Sequence, residues 1–452
     1  MSSICSSLKE YRVLIAALMG CFLILFGVSA RPVELLAILF CISISWFGED
    51  DVLVICCLAC WMNLATIFKL GVGGASFYTY VVILFALRRL IRDRSINKDF
   101  LLTLLIYAVY LIIGMKTQFM GVIKNVMMPL QLYMMAKCLD YQGLKRVSGY
   151  FILGNIVEST AAMNYSVIPN LSDYITSDNA YAVKTIEGFV PKPRFAGLWE
   201  DPNYYSIHLL LGIVICILLY SRREIKGYVF YCVVAVLTFF GAKTLSKSFI
   251  LMLAIALVYA YILFIRHKQF GSVFLISIIL VGILILSAAG YINVFSMILQ
   301  RLREGMNSSG DLTTGRADIW KDYVYYFYSH PKRLLFGVGL GGQRPIKMEP
   351  HNSYLEIILY IGITGTLLFC MTIYNAVAAS WLRPLRGSAV PLMLILIMYF
   401  FLGKYNSADL QMELLLILGY LWMNKETRVP EISIDKAGEN IQNYEVYLNC
   451  EQ

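Results

Sequence analysis

Residues 247–266, KSFILMLAIALVYAYILFIR, carry ionic side chains only at their two ends, with an unbroken apolar run between. At about 1.5 Å per residue, such a run is long enough to cross roughly 30 Å of hydrocarbon as a helix. A barrel strand would alternate apolar and polar positions over about ten residues, so backbone hydrogen bonds here must close within the segment itself. Runs of the same kind recur along the chain, near 13–30, 32–48, 52–70, 76–91, 99–115, 119–138, 147–165, 203–221, 227–243, 247–266, 271–290, 352–375, 389–404 and 409–423. That gives about fourteen spans, or about twelve if the short 32–48 and the polar 147–165, with Asn155, Glu158 and Asn164, are re-entrant. The overall composition agrees: in 452 residues, 59% hydrophobic and 15% charged side chains exclude a soluble globule. The expected fold is an all-α polytopic membrane protein.

Charge then orients the bundle. Arg88, Arg89, Arg92, Arg94 and Lys98 form one basic cluster; Lys145-Arg146, Arg222-Arg223-Lys226, Arg266-His267-Lys268 and Arg383-Arg386 form others. With the spans above, all fall on the side of both termini, and the positive-inside rule makes that side cytoplasmic. The chain divides into helices over 1–165, an outer loop 166–202, helices 203–290, a large outer loop 291–350, helices 351–423 and a cytoplasmic tail 424–452. The larger loop runs against the rule. Arg301, Arg303, Arg316, Lys321, Lys332, Arg333, Arg344 and Lys347 outnumber Glu304, Asp311, Asp318, Asp322 and Glu349. A translocated loop with surplus cations suits an anionic ligand.

The first apolar run reads as a span rather than a cleaved signal, since it is long and lacks a small-residue cleavage site before the next one. No cysteine lies in either outer loop, so no external disulfide framework is implied. Cys56, Cys57 and Cys60 sit in an apolar run without a nearby histidine and read as small packing residues rather than a metal site. Nothing resembles a nucleotide-binding loop or a nucleic-acid partner.

Within the large loop, Ile319, Trp320, Tyr323, Val324 and Phe327 recur at helical spacing, which predicts an amphipathic helix opened by Gly315-Arg316-Ala317-Asp318 and closed by His330-Pro331. Arg316 would stand at the end where exposed N–H groups favour an anion, and its planar fork can hold a diphosphate. An ordinary solvated arginine is the competing reading. The glycine-rich Leu335–Gly342 stretch can let backbone approach a ligand closely. His351 follows at the head of an apolar run; its imidazole titrates near neutrality and can take a proton from a sugar hydroxyl, or it is a hydrogen-bonded structural residue. Lys243 and Lys247 flank the outer turn Thr244-Leu245-Ser246, either binding an anion or snorkelling. Arg194 and Asn203 belong to a turn-rich tract, with Glu200 and Asp201, that either positions an acceptor or caps the next helix.

The order Arg194-Phe-Ala-Gly197 with Pro202-Asn203, Ser246-Lys247-Ser248, Gly315-Arg316 with Trp320, His330-Pro331, Gly337-Val-Gly339, then His351-Asn352 with Gly362 and Gly365 resembles the O-antigen ligase and polymerase superfamily of bacterial surface-polysaccharide assembly. The resemblance covers roughly residues 190–370; the first half matches in hydropathy alone. It implies a helical, GT-C-like glycosyltransferase of the bacterial inner membrane whose site faces the periplasm or exterior. The donor would be an undecaprenyl-diphosphate-linked glycan, the acceptor a lipid-linked repeat unit or lipid A-core, with no cofactor or metal. Membrane lipids and other polysaccharide-assembly proteins are the further partners. Carried over by position, His351 would activate the acceptor hydroxyl and Arg316 would bind the diphosphate, with Lys247, Lys243, Arg194, Asn203 and Asn352 as substrate-binding candidates. Lys247 stands where the family usually has arginine, keeping the charge but not the fork. Polymerase is the expected activity and ligase the alternative; a lipid-linked oligosaccharide flippase or a membrane scaffold are the readings from other classes.

Overall fold

The computed structural model describes residues 2–26, 51–64, 77–92, 95–116, 119–168, 194–199, 201–288, 316–348, 350–381, 387–400 and 410–423. The described residues form fifteen α-helices and no strand. They are α1 (Ser2–Phe26), α2 (Asp51–Trp61, continued by a 3-10 turn to Leu64), α3 (Phe77–Arg92), α4 (Lys98–Gly114), α5 (Phe119–Ala136), α6 (Tyr141–Met163), α7 (Pro202–Ser221), α8 (Gly227–Lys243), α9 (Lys247–Arg266), α10 (Phe270–Ala288), α11 (Arg316–Ser329), α12 (Pro331–Phe336), α13 (Ser353–Trp381), α14 (Val390–Phe400) and α15 (Leu410–Trp422). The expected span at 32–48, most of the loop 166–202, residues 291–315 and the tail 424–452 lie outside the described residues.

The apolar runs mark where the helices lie, but several boundaries differ: α1 starts at Ser2 rather than 13. α6 begins at Tyr141 rather than 147, because the Asp140 carboxylate caps it by accepting from the Gly143 N–H at 2.6 Å. α13 runs on to Trp381, past the expected end at 375. By length and composition α7, α9 and the stretch Ser353–Ala378 of α13 suffice to cross a membrane; shorter apolar helices include Asp51–Trp61, Gly227–Lys243 and Gln411–Trp422.

α7 is the axis of the bundle. In it 89% of the apolar window is buried, against 28% in α9, so α7 is enclosed by protein while α9 keeps a broad apolar face outside. α7 packs against α6, α8, α9 and α14; α13 packs against α4 and α5, and α5 against α15.

Long-range contacts sort the helix ends. At one end Arg222 donates to the Tyr141 hydroxyl at 3.0 Å, Gln269 Nε2 donates to Tyr220 O at 3.2 Å, Arg89 donates to Asp51 Oδ2 at 2.7 Å, and Trp381 Nε1 donates to Leu139 O at 3.3 Å. α7, about 30 Å long, places Asn203 at the other end, and with it the α8–α9 turn and the head of α13. The basic residues Arg88, Arg89, Arg222 and Arg266 thus share one end, and every candidate site residue the other.

α13 is broken at Gly362, where φ is 67° and ψ 179°. A break strips three carbonyls of their partners one turn on, and each finds another. Leu359 O accepts from the Val338 N–H at 2.7 Å, Tyr360 O from the Gly339 N–H at 3.0 Å, and Ile361 O from the Tyr110 hydroxyl of α4 at 2.6 Å. A Cβ on Gly362 would collide with Leu335 O, and one on Gly339 with Gly114 O. At Gly339 and Gly362 the absence of a side chain lets backbone approach backbone.

Candidate functional site

Two groups of side chains occupy the site end. The first forms where α7, α8 and α9 meet. Ser246 caps α9, its Oγ accepting from the Phe249 N–H at 3.3 Å, and the turn before it puts Leu245 at φ 50°. This three-residue turn sets Lys243 at the end of α8 and Lys247 at the start of α9. Arg194 is tied to the same turn. Its Nε donates to Thr244 O at 3.0 Å and Nη2 to Asn203 Oδ1 at 3.1 Å, while Ser246 Oγ donates to that same oxygen at 3.0 Å. The Phe195 N–H adds a bond to Lys243 O at 3.2 Å. Four sequence candidates, Arg194, Asn203, Lys243 and Lys247, are thereby drawn into one corner that holds three cations. Lys243 Nζ lies 5.0 Å from the Phe239 ring centroid, a cation–π contact that holds the ammonium at the apolar edge. Asp201 caps α7, accepting from the Asn203 N–H at 2.6 Å, with Pro202 at the first helical position.

Behind this corner lies a buried polar tract absent from the sequence reading. His208 Nδ1 stands 2.6 Å from Glu413 Oε1 of α15, and its ring stacks on Trp199 with centroids 4.1 Å apart. Glu158 Oε1 accepts from the Leu198 N–H at 3.0 Å, and Ser159 shares a hydrogen bond with the Tyr205 hydroxyl. The signal for it was present: an ionisable residue inside an apolar span calls for a partner on a neighbouring helix.

The second group centres on His351. Arg316 is the first described residue of α11, which buries Tyr323 and Phe327 with Val338 and Leu359 in a small core apart from the main one. Two bonds from α11 clamp the chain before α13: Trp320 Nε1 donates to Pro350 O at 2.8 Å, and the Tyr323 hydroxyl donates to Met348 O at 2.9 Å. Trp320 lies one turn from Arg316 on the same helix face, so the helix that carries Arg316 is held to the residue before His351. His351 itself is half-buried and holds φ at 45°, a left-handed conformation uncommon outside glycine, asparagine and aspartate. Asn352 caps α13, its Oδ1 accepting from the Tyr354 N–H at 2.9 Å and the Leu355 N–H at 3.3 Å, which commits that oxygen to the fold.

The two groups share an end but not a packing interface: neither α11 nor α13 packs along α7, α8 or α9 among the described residues. Each group carries cationic side chains at this end of the bundle, and the second also carries the His351 imidazole. Among the described residues no three histidine, cysteine or acidic side chains gather as metal ligands, and Cys56, Cys57 and Cys60 are buried packing residues.

Comparison with known proteins adds independent information. Residues 242–370 match the family model described as O-antigen ligase, a stretch that holds Lys243, Lys247, Arg316, His351 and Asn352 but neither Arg194 nor Asn203. A curated O-antigen polymerase from Salmonella muenchen is 22% identical over 228 residues. That match covers 48% of this chain, which spans 55% of the relative. No solved structure matches. The family model and the relative together support the O-antigen ligase and polymerase superfamily.

Proposed function

We propose that this chain is a polymerase of bacterial surface polysaccharide, moving a glycan from undecaprenyl diphosphate to the acceptor sugar of a lipid-linked repeat unit on the outer side of the inner membrane. The observation that carries the reading is the Trp320–Pro350 bond, which ties the helix bearing Arg316 to the residue before His351. The gathering of Arg88, Arg89, Arg222 and Arg266 at the opposite end supports that end as cytoplasmic.

In this reading His351 accepts the proton of the acceptor hydroxyl as its oxygen bonds to the anomeric carbon. The bond from that carbon to the diphosphate oxygen breaks, and its electron pair leaves on the diphosphate. Arg316, Lys243 and Lys247 stabilise the departing charge, which grows in an oxocarbenium-like transition state. A diphosphate leaves without protonation, so one base and several cations suffice. A single displacement inverts the anomeric configuration.

A second reading, ligase, is favoured by the description of the matching family model. One experiment separates them: purified protein in lipid with undecaprenyl-diphosphate-linked glycan, native against His351→Ala and Arg316→Ala, followed by gel and mass spectrometry. Longer lipid-linked chains, lost in both variants, are the polymerase result. Product formed only with added lipid A-core identifies a ligase, and no transfer to either acceptor overturns both.

A further inference from the structure

We infer that α12 is an interfacial anchor seated on the outer leaflet, with Leu335 and Phe336 among the acyl chains and Lys332 and Arg333 at the level of anionic phospholipid headgroups. α13 is the longest of the described helices. Its 29 residues are two helices joined across the kink at Gly362. The break at Gly362 divides this length unequally: the portion beyond it, to Trp381, is itself about 29 Å long, so the turns from Ser353 to Ile361 project past the membrane.

Exposed side chains follow the same boundary. Beyond the break Ile363, Leu367, Met371 and Tyr374 form an exposed stripe at helical spacing, as a lipid-facing surface requires. On α4 the exposed face carries Ile106, Val109, Ile112 and Ile113, the last 79% exposed just before the helix ends at Gly114. The Lys116 N–H beyond it donates to Leu340 O at 3.0 Å, which fixes the end of α4 at the level of the glycine strap.

α12 lies at this level. Phe336 O is 3.2 Å from the Tyr110 hydroxyl in the last turns of α4, and Leu335 O abuts Gly362. Leu334 turns into the small core under α11, whereas Leu335 and Phe336 remain 46% and 58% exposed. Two apolar side chains left outside, level with the ends of two lipid-facing stripes, continue those stripes rather than face water. Lys332 and Arg333, both exposed on the same short helix, supply the charge that complements a phosphate layer and can snorkel to it. The seat would hold the α11 unit, and with it His351, at a fixed height over the bilayer. It does not depend on the glycosyl-transfer reading.

The test is site-specific photo-crosslinking of the full chain in nanodiscs. Phe336→benzoylphenylalanine and Leu335→benzoylphenylalanine are compared with Tyr328→benzoylphenylalanine, a position 85% exposed on α11, in phosphatidylglycerol and in phosphatidylcholine. Phospholipid adducts severalfold stronger at 335 or 336 than at 328 support the seat. A preference for phosphatidylglycerol that disappears when Lys332→Gln and Arg333→Gln are combined supports the anionic contact. Equal yields at all three positions, adducts to a second copy or another protein, or indifference to headgroup charge overturn the proposal.

Discussion

The indole of Trp320 donates to the carbonyl of Pro350 across thirty positions of sequence, at 2.8 Å, and this bond holds the loop helix against the residue that precedes His351. A buried carbonyl left without its donor costs about 1–3 kcal/mol. Trp320→Phe keeps most of the ring and removes the N–H. Glycan extension should fall roughly tenfold, since about 1.4 kcal/mol is one decade in rate, while thermal unfolding in detergent shifts little. Initial rates on a lipid-linked substrate check this, and an unaltered rate would detach the clamp from function.

At His351 backbone and side chain can be separated. The left-handed conformation costs a residue with a Cβ about 1–2 kcal/mol, and glycine returns about 0.5–1 kcal/mol of that in chain entropy. His351→Gly should therefore unfold at nearly the native temperature. Extension should still drop by about 10²–10⁴ if the imidazole is the base. Retained extension with unchanged melting would remove His351 from the chemistry.

The glycine strap is expected to be intolerant. Gly339→Ala and Gly362→Ala each force a Cβ onto a backbone oxygen at a positive φ, and strain at such sites is of order 1–3 kcal/mol each. Gly149→Ala, in α6 with nothing within 4 Å, should be neutral or stabilising by up to about 1 kcal/mol. Melting temperatures of the three proteins, purified side by side, give the ordering.

The His208–Glu413 pair joins α7 to α15 inside the bundle. Removing one partner from a buried pair typically costs roughly 3–5 kcal/mol, so His208→Leu should markedly lower the unfolding temperature. Glu413→Gln should lower it less, because the carboxamide keeps the side chain's volume and a polar atom beside the ring. Equal small shifts would mean the pair contributes little.

Hydropathy made the helices legible because each apolar run is long and its ends carry ionic or turn residues, as at Lys247 and Arg266. It could not see the break in α13, where Gly362 interrupts the backbone without interrupting the apolar run. The helical spacing of Ile319, Trp320, Tyr323 and Phe327 matched α11, whose buried residues are Tyr323 and Phe327. It did not show that Trp320 and Tyr323 also reach residues 348–350, because pairing between distant segments leaves no local period. Arg194 was legible as a cation near a turn; that it ties the tract to Thr244 and Asn203 depended on α7 and α8 being neighbours. The oxygen of Asn352 goes to helix capping, a use that its position before an apolar run already suggested.

A helix interrupted by glycine ordinarily serves as a joint. In α13 the three carbonyls released at Gly362 are bound crosswise, two to the strap and one to Tyr110. Tilting the outer turns would break all three bonds at once, so the joint is locked. The projecting head of α13, with the helices that rest on it, therefore moves as one piece with the bundle beneath.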